Sequence, residues 1–207
     1  MKKQICLAVA LLLLSIAPAT VAHANDMDIR PYMGVGMGAF GIEYSDSAIS
    51  QRKTTFGGFV KGGADIGDYF GLELRLGTTT KASKDYAAGT LGAAAGTFKA
   101  NASYFFSYLA KLQVPASDEL KPYALIGGTT ANFKTTNSST GLSSSKAKTG
   151  FSYGFGIDYN LGNQFSVSGE WMQYWTNVNL GTSYAPAPGT NPKAKIWGAV
   201  AALDYHF

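Results

Sequence analysis

The last stretch of the chain, Lys195 to Phe207, constrains the fold more than any other. Bulky side chains recur at every second position back from the end, at Phe207, Tyr205 and Leu203, and a period of two is typical of a β-strand. An uncovered strand edge this apolar would promote aggregation. The pattern therefore predicts that the terminal strand pairs with the first strand and closes a barrel.

The first 24 residues have the pattern of a cleaved signal peptide. A basic start is followed by an apolar core over 5–16 and by Ala-His-Ala at 22–24, which is the tripartite pattern of secretion signals. The core is too short for a retained membrane anchor. We expect residues 1–24 to be removed and residues 25–207 to form one barrel domain. Cys6, the single cysteine, lies in the removed part.

The rest of the chain alternates between strand patterns and polar segments. Strand patterns occupy about 29–40, 55–66, 70–79, 98–112, 122–133 and 151–161, then a seventh from Phe165 and the terminal strand. Short turns at 67–69, 115–119 and 162–163 alternate with four predicted long loops at 41–54, 80–97, 135–148 and 177–192. Strands of about ten residues in this arrangement predict an all-β fold, an eight-stranded antiparallel up-and-down transmembrane β-barrel.

Charged side chains are sparse and fall on one face of the strands. They make up 14% of the chain, against about 25% in soluble domains, too few to coat the exterior of a soluble barrel. An eight-stranded barrel is only wide enough inside for side chains. We therefore predict a paired charge network in the lumen, with a charge-lined conduction path as the alternative. Its expected members are Lys61, Asp65, Glu73, Arg75, Asp158 and Glu170.

Aromatic residues cluster near the strand ends, which predicts a belt at each membrane interface. The expected members are Tyr69, Tyr123 and Phe165 on the turn side, and Phe56, Phe151, Trp175 and Trp197 on the loop side.

Four motifs resemble the outer-membrane barrel family that includes opacity-type surface antigens and the barrel domain of outer-membrane protein A. They are R-P-Y-x-G-V-G at 30–36, G-D-Y-F-G-L-E-L-R at 67–75, K-P-Y-A-L-I-G at 121–127 and the terminal L-D-Y-H-F. The last is similar to the signal read by the barrel-assembly machinery, through Leu203, Tyr205 and Phe207, with Ala202 where Gly is usual.

The resemblance implies a monomer in the bacterial outer membrane that contacts lipid and lipopolysaccharide. It also implies assembly by periplasmic chaperones and the barrel-assembly machinery. Members of the family are adhesins, serum-resistance factors, envelope-stabilising proteins and narrow pores.

Residues that could carry chemistry are few. After residue 24 the chain has one histidine, His206, and no cysteine, so neither a usual zinc site nor a Ser–His hydrolase is predicted. The Gly-rich stretches open no helix, so no cofactor is expected. Loss of Lys2 and Lys3 would lower the net charge from +4 to about +2, which argues against a nucleic-acid partner. Because outer-membrane barrels keep short turns in the periplasm and long loops outside, the four long loops are expected on the cell surface. We predict a non-enzymatic barrel with a structural or binding role carried by these extracellular loops, and a host or surface ligand held by them. The alternatives are a narrow porin-like pore and a lipid-modifying enzyme.

Overall fold

The computed structural model describes residues 28–181, 184 and 190–207, so the predicted signal peptide lies outside the described residues. Within this part, the chain forms nine strands. They are β1 Ile29–Ser45, β2 Ser50–Ile66, β3 Phe70–Thr79, β4 Ala82–Tyr86, β5 Gly96–Gln113, β6 Leu120–Asn137, β7 Ser143–Gly162, β8 Phe165–Asn179 and β9 Lys193–His206. In the described part of the chain, no helix is long and apolar enough to cross a membrane.

Eight long strands form a closed antiparallel wall. Each long strand pairs with the next long strand along the chain, so that β3 pairs with β5. The short strand β4 pairs with the first residues of β5 and extends the position of β3 in the wall toward the tips. The chain ends close the barrel, because β1 pairs with β9 over Tyr32 to Ser45. The terminal strand therefore has a partner on each edge, β8 and β1, and the predicted barrel fold is confirmed.

The two ends of the barrel differ in their connections. The turn end holds the connections 67–69, 114–119 and 163–164. The opposite end holds four connections, which we call the tips, at 46–49, 87–95, 138–142 and 180–192.

The strands extend well into the predicted loops, whose bounds were wrong. The segment 41–54 is mostly strand, because β1 continues to Ser45 and β2 begins at Ser50. Likewise, 135–148 shrinks to the tip 138–142. The segment 80–97 contains β4, and 177–192 loses its first residues to β8 and lies partly outside the described residues.

The inner face explains why pairing continues there. Ile42, Tyr44, Phe98 and Phe133 are buried at the tip end, so alternation persists on the inside while the outward side chains become polar. The outward side chains at the tip end are polar, and this polar composition is the reason that the sequence predicted loops there. The strands nevertheless remain paired.

A bulge in β5 exchanges its two faces. The register of β5 on β6 slips between Ala102 and Tyr104, and an extra residue in one strand reverses the parity of the side chains before it. Lys99, which simple alternation places inside, is therefore exposed, and Phe98 is fully buried instead.

The barrel interior has two layers of different chemistry. The half nearer the turn end holds buried charges, among them Lys61, Glu73 and Arg75. The half nearer the tips holds buried aromatic rings, among them Phe40 and Trp175. Buried side chains therefore occupy the interior in both halves.

Candidate functional site

Arg75 lies at the centre of the interior charge network. Its Nε donates to Oε1 of Glu73 at 2.5 Å, and its two terminal nitrogens donate to the two carboxylate oxygens of Glu170 at 2.5 and 2.6 Å. The guanidinium carbon also lies 4.7 Å from the centroid of the Phe59 ring. The fork of guanidinium donors matches carboxylate geometry, so Arg75 ties together the acids of β3 and β8.

Lys61 links β2 to β3 and β9. Its Nζ lies 2.8 Å from Oδ2 of Asp204 and 3.5 Å from Oε2 of Glu73. The Tyr32 hydroxyl donates to the same oxygen of Glu73 at 2.7 Å. Glu73 is therefore shared by two cations and a phenol, and its charge is well compensated in the buried interior.

Lys111 forms the part of the network nearest the turn end. Its Nζ lies 2.8 Å from Oδ2 of Asp158 and 3.6 Å from Oδ1 of Asp65. The ammonium group also lies 5.0 Å from the centroid of the Tyr123 ring, whose hydroxyl donates to Glu170 at 3.0 Å. Cation–ring contacts of this length are favourable, and they join the two parts of the network.

The structure places all six predicted network members inside the barrel and adds others. The members missed from the sequence are Lys111, Asp204, Tyr32, Tyr123 and Tyr174. Lys111 and Asp204 alternate with the outward Leu112 and Leu203, so strict alternation would have found them. Each of the eight long strands contributes at least one member, so the network braces the whole circumference.

The aromatic layer closes the half of the interior nearer the tips. The Tyr174 ring lies 5.6 Å from Phe40 and 5.0 Å from Phe105, centroid to centroid. Above them, Phe133 stacks on Trp175 at 6.1 Å, and the indole Nε1 donates to the Thr129 carbonyl at 2.9 Å. Offset ring pairs at these separations are favourable and densely packed.

Two predicted belt residues lie in the interior, so the belt prediction was wrong for them. Trp175 is fully buried because the pairing of β8 with β9 slips between Gln173 and Trp175, which turns its side chain inward. Tyr123 lies on the buried face of β6 with Leu125. Both faces of β6 carry apolar residues, so its inner face could not be assigned by hydrophobicity.

Tyr184, in the fourth tip, is buried against the end of β6. Its hydroxyl lies 2.9 Å from Oγ1 of Thr135 on β6. Burial raises the pKa of the Tyr184 hydroxyl above its ordinary value, so the phenol stays protonated and able to donate. The contact ties the fourth connection to the third hairpin.

The mouth at the turn end is an open cavity of about 260 Å³ lined by Asp65, Asp158, Ser166 and His206, among others. Ser166 Oγ lies 3.0 Å from Nε2 of His206, a pair that the sequence does not reveal because the residues lie on neighbouring strands. Hydrolysis by a Ser–His pair also needs an oriented carboxylate and oxyanion donors. Among the described residues, the His206 ring has one hydrogen-bond partner, Ser166.

No group of three or more His, Cys, Asp or Glu side chains in the described ranges could hold a metal ion.

Comparison with known proteins identifies the family. The profile of the outer membrane protein beta-barrel domain matches residues 7–207. The chain belongs to this family. No curated protein matches the outer-membrane barrel at the level of sequence.

Solved structures of outer-membrane proteins are similar to this chain at low sequence identity. A major outer membrane protein from Thermus thermophilus is 13% identical, with a TM-score of 0.55, over 86% of this chain and 99% of that chain. Neisserial surface protein A is 16% identical, with a TM-score of 0.51, over 84% and 97%. The N-terminal barrel domain of Pseudomonas aeruginosa OprF is 17% identical, with a TM-score of 0.48, over 84% and 97%.

Membership places the outer-membrane barrel in the bacterial outer membrane, with lipid against its apolar outer face. Large apolar residues such as Leu72, Leu74 and Phe155 are half or more exposed on that face. Four of the predicted belt residues also lie on it: Phe56, Phe151 and Trp197 on the tip side, and Phe165 on the turn side. Tyr69 is exposed in the turn 67–69. Their depth in the membrane remains a prediction.

The predicted assembly signal lies on the outer face near the turn end. Leu203 and Phe207 are exposed, and the Tyr205 ring lies 5.3 Å from Phe165 and 5.2 Å from Phe207. These side chains are accessible where β9 ends. Their recognition by the assembly machinery, and the part of periplasmic chaperones, remain predictions.

Proposed function

We propose that the protein is a closed, non-enzymatic surface barrel whose tips carry a structural or binding role toward a host or surface ligand. The observation that carries the proposal is the filled interior. A charge network drawn from all eight long strands is followed by a layer of packed aromatic rings. A solute crossing the barrel would have to break buried ion pairs, which costs about 3–5 kcal/mol for each stranded charge.

The filled interior also argues against the two alternatives. A porin-like pore needs a continuous aqueous path, which larger barrels have and eight-stranded ones fill with side chains. A lipid-modifying enzyme needs a reactive group that its lipid substrate can reach. Since outer-membrane barrels keep their short turns in the periplasm, the Ser166–His206 pair at the turn end would lie on the side away from the outer leaflet.

Hydrogen bonds join the tips in two pairs, the first with the fourth and the second with the third. Ser47 in the first tip donates its amide to the Thr190 carbonyl in the fourth at 3.2 Å, and its hydroxyl accepts from the Thr190 amide at 2.9 Å. The Ser139 hydroxyl in the third tip donates to the Ala94 carbonyl in the second at 2.8 Å. These hydrogen bonds hold the contacting residues of neighbouring tips in place, and a preorganised surface loses less entropy on binding.

Replacement of tips tests the proposal on whole cells. One variant carries Gly/Ser linkers at 46–49 and 138–142, which removes one tip from each pair. The control carries a linker of the same kind at 115–118, in the turn end. Both should give a folded barrel whose gel mobility changes on heating. We expect the tip variant to lose adhesion of cells to immobilised host-cell surfaces and the control to keep it. Unchanged adhesion of the tip variant would contradict the proposal.

A further inference from the structure

The described barrel is strongly polarised in charge. The tip half, residues 41–56, 80–103, 129–152 and 173–197, holds ten Lys and Arg against three Asp and Glu, a balance of +7. The remaining described residues hold five Lys and Arg against nine Asp and Glu, a balance of −4. None of the ten cations in the tip half is buried.

These cations lie on the flanks of the hairpins, while the tips are almost uncharged. The four tips together contain one charged residue, Asp46. A soluble polyanion approaching from outside the cell would meet the tips first. Cations on the flanks instead face whatever surrounds the barrel just above its apolar band.

Three of the cations lie close together on the outer face of β2, β1 and β9: Arg52, Lys193 and Lys195. In register, Lys195 lies opposite Glu43 and Glu43 lies opposite Arg52, so they form one row across three strands. Lys193 lies opposite Ser45 in the next row. We call these five residues the basic patch. They line a surface cavity of about 300 Å³ together with Ser50.

The patch keeps two uncompensated positive charges. Glu43 binds Arg52 through both carboxylate oxygens, at 2.8 Å to Nε and 3.1 Å to a terminal nitrogen. Lys193 and Lys195 are exposed and have no ion-pair partner among the described residues. Two ammonium groups beside the hydroxyl of Ser45 offer the charge-assisted donors that phosphate oxygens bind.

The position of the basic patch along the barrel axis, relative to the apolar band, indicates what surrounds it in the membrane. On the outer face of β9, Lys195 is followed by Trp197 and then by Ala199, Ala201 and Leu203. The Trp197 indole packs over Gly41 of β1, where a Cβ would overlap the ring. Trp is enriched at membrane–water interfaces, so Lys195 and Lys193 begin where the apolar band ends. That is the level of lipid headgroups.

We propose that the basic patch binds a phosphate group of the phosphorylated glycolipid in the outer leaflet of the outer membrane. Lys193 and Lys195 supply the charge, and Glu43 holds Arg52 at the edge of the cavity. The site lies on the lipid-facing wall and requires no ligand at the tips, so it goes beyond the proposed surface role and can fail independently of it.

The test compares Lys193→Gln/Lys195→Gln with the wild type and a charge-matched control, Lys81→Gln/Lys99→Gln. The control removes two exposed lysines of the tip half that lie away from β9, Lys81 just before β4 and Lys99 on β5. The probes are bisphosphorylated lipid A and its dephosphorylated form, titrated into the folded full-length mature chain in detergent. Native mass spectrometry counts the bound molecules. Heat-modifiable gel mobility confirms that each variant is folded.

We expect the patch variant to bind bisphosphorylated lipid A about 25-fold more weakly, at about fivefold per lysine near a charged surface. The control should bind like the wild type, and the dephosphorylated lipid should not distinguish the three proteins. If both variants bound lipid A equally weakly, the effect would depend on the total positive charge and not on the basic patch, and the proposed site would be wrong. Wild-type binding by the patch variant would also overturn it, as would loss of binding to a soluble heparin oligosaccharide with lipid A binding unchanged.

Discussion

At the scale of single residues, neighbouring positions on one strand experience opposite environments. Leu74 points outward between Gly62 of β2 and Tyr108 of β5 and is 52% exposed, whereas Arg75 is 1% exposed. Because the side-chain period of a strand is two, one step along β3 moves a residue from lipid to the buried charge network. Substitutions at these two positions should therefore act by different mechanisms.

Leu74→Arg should destabilise the folded barrel by about 2–4 kcal/mol, the cost of an Arg facing lipid near the bilayer midplane. The measurement is the free energy of unfolding in urea, in the presence of lipid vesicles. Leu142→Arg is the matched control, because Leu142 is equally exposed, at 54%, but lies in the third tip. The control should change stability by less than about 0.5 kcal/mol. Equal effects of the two substitutions would show that the outer face is wrongly assigned.

Arg75→Leu should cost about 3–5 kcal/mol, because it leaves Glu170 buried without its cation. Glu73 keeps Lys61 at 3.5 Å, so the loss should centre on Glu170. Adding Glu170→Gln removes the stranded charge and should restore part of the stability, measured by the same urea titration. If Glu170→Gln lowers the stability of Arg75→Leu by as much as it lowers the stability of the wild type, the two residues are not coupled.

At the scale of elements, alternation predicts strands well and their ends poorly. The bounds of β3, Phe70–Thr79, agree with the sequence pattern, since both its faces keep their chemistry along its whole length. β1 and β6 continue beyond their predicted ends, because their outer faces become polar while Tyr44 and Thr135 remain buried. Register slips are the other limit, and a single sequence does not reveal the slip that turns Trp175 inward.

The third hairpin tests where strand gives way to tip. A Gly/Ser linker in place of 138–142 should leave the barrel folded, because these residues connect the strands and few bury a side chain. A linker in place of 135–148 should destabilise it, because it removes the buried Thr135 and Asn137 and the paired start of β7. The midpoint of heat-induced mobility change on gels compares the two. Equal midpoints would show that the strand extensions contribute nothing to stability.

At the scale of the whole molecule, the interior of the barrel is divided into a charged layer and an aromatic layer. The charge network near the turn end and the aromatic layer near the tips together fill the barrel, so the interior provides stability and leaves recognition to the exterior. The network could be predicted in outline from the sequence, since its members alternate with apolar residues. Its partners could not, because Arg75 meets Glu170 across the barrel, 95 positions away along the chain.

The central claim is that side chains in the interior block the passage of ions through the barrel, and planar-bilayer recording tests this claim most directly. A purified chain of residues 25–207, folded and inserted in a lipid bilayer under an applied voltage, should give no discrete conductance steps above the bare bilayer. Arg75→Leu should be recorded alongside it, because opening the network is the change most able to create a path. Reproducible steps in the wild type, with a size altered by Arg75→Leu, would show that ions pass through the charge network and would contradict the closed barrel.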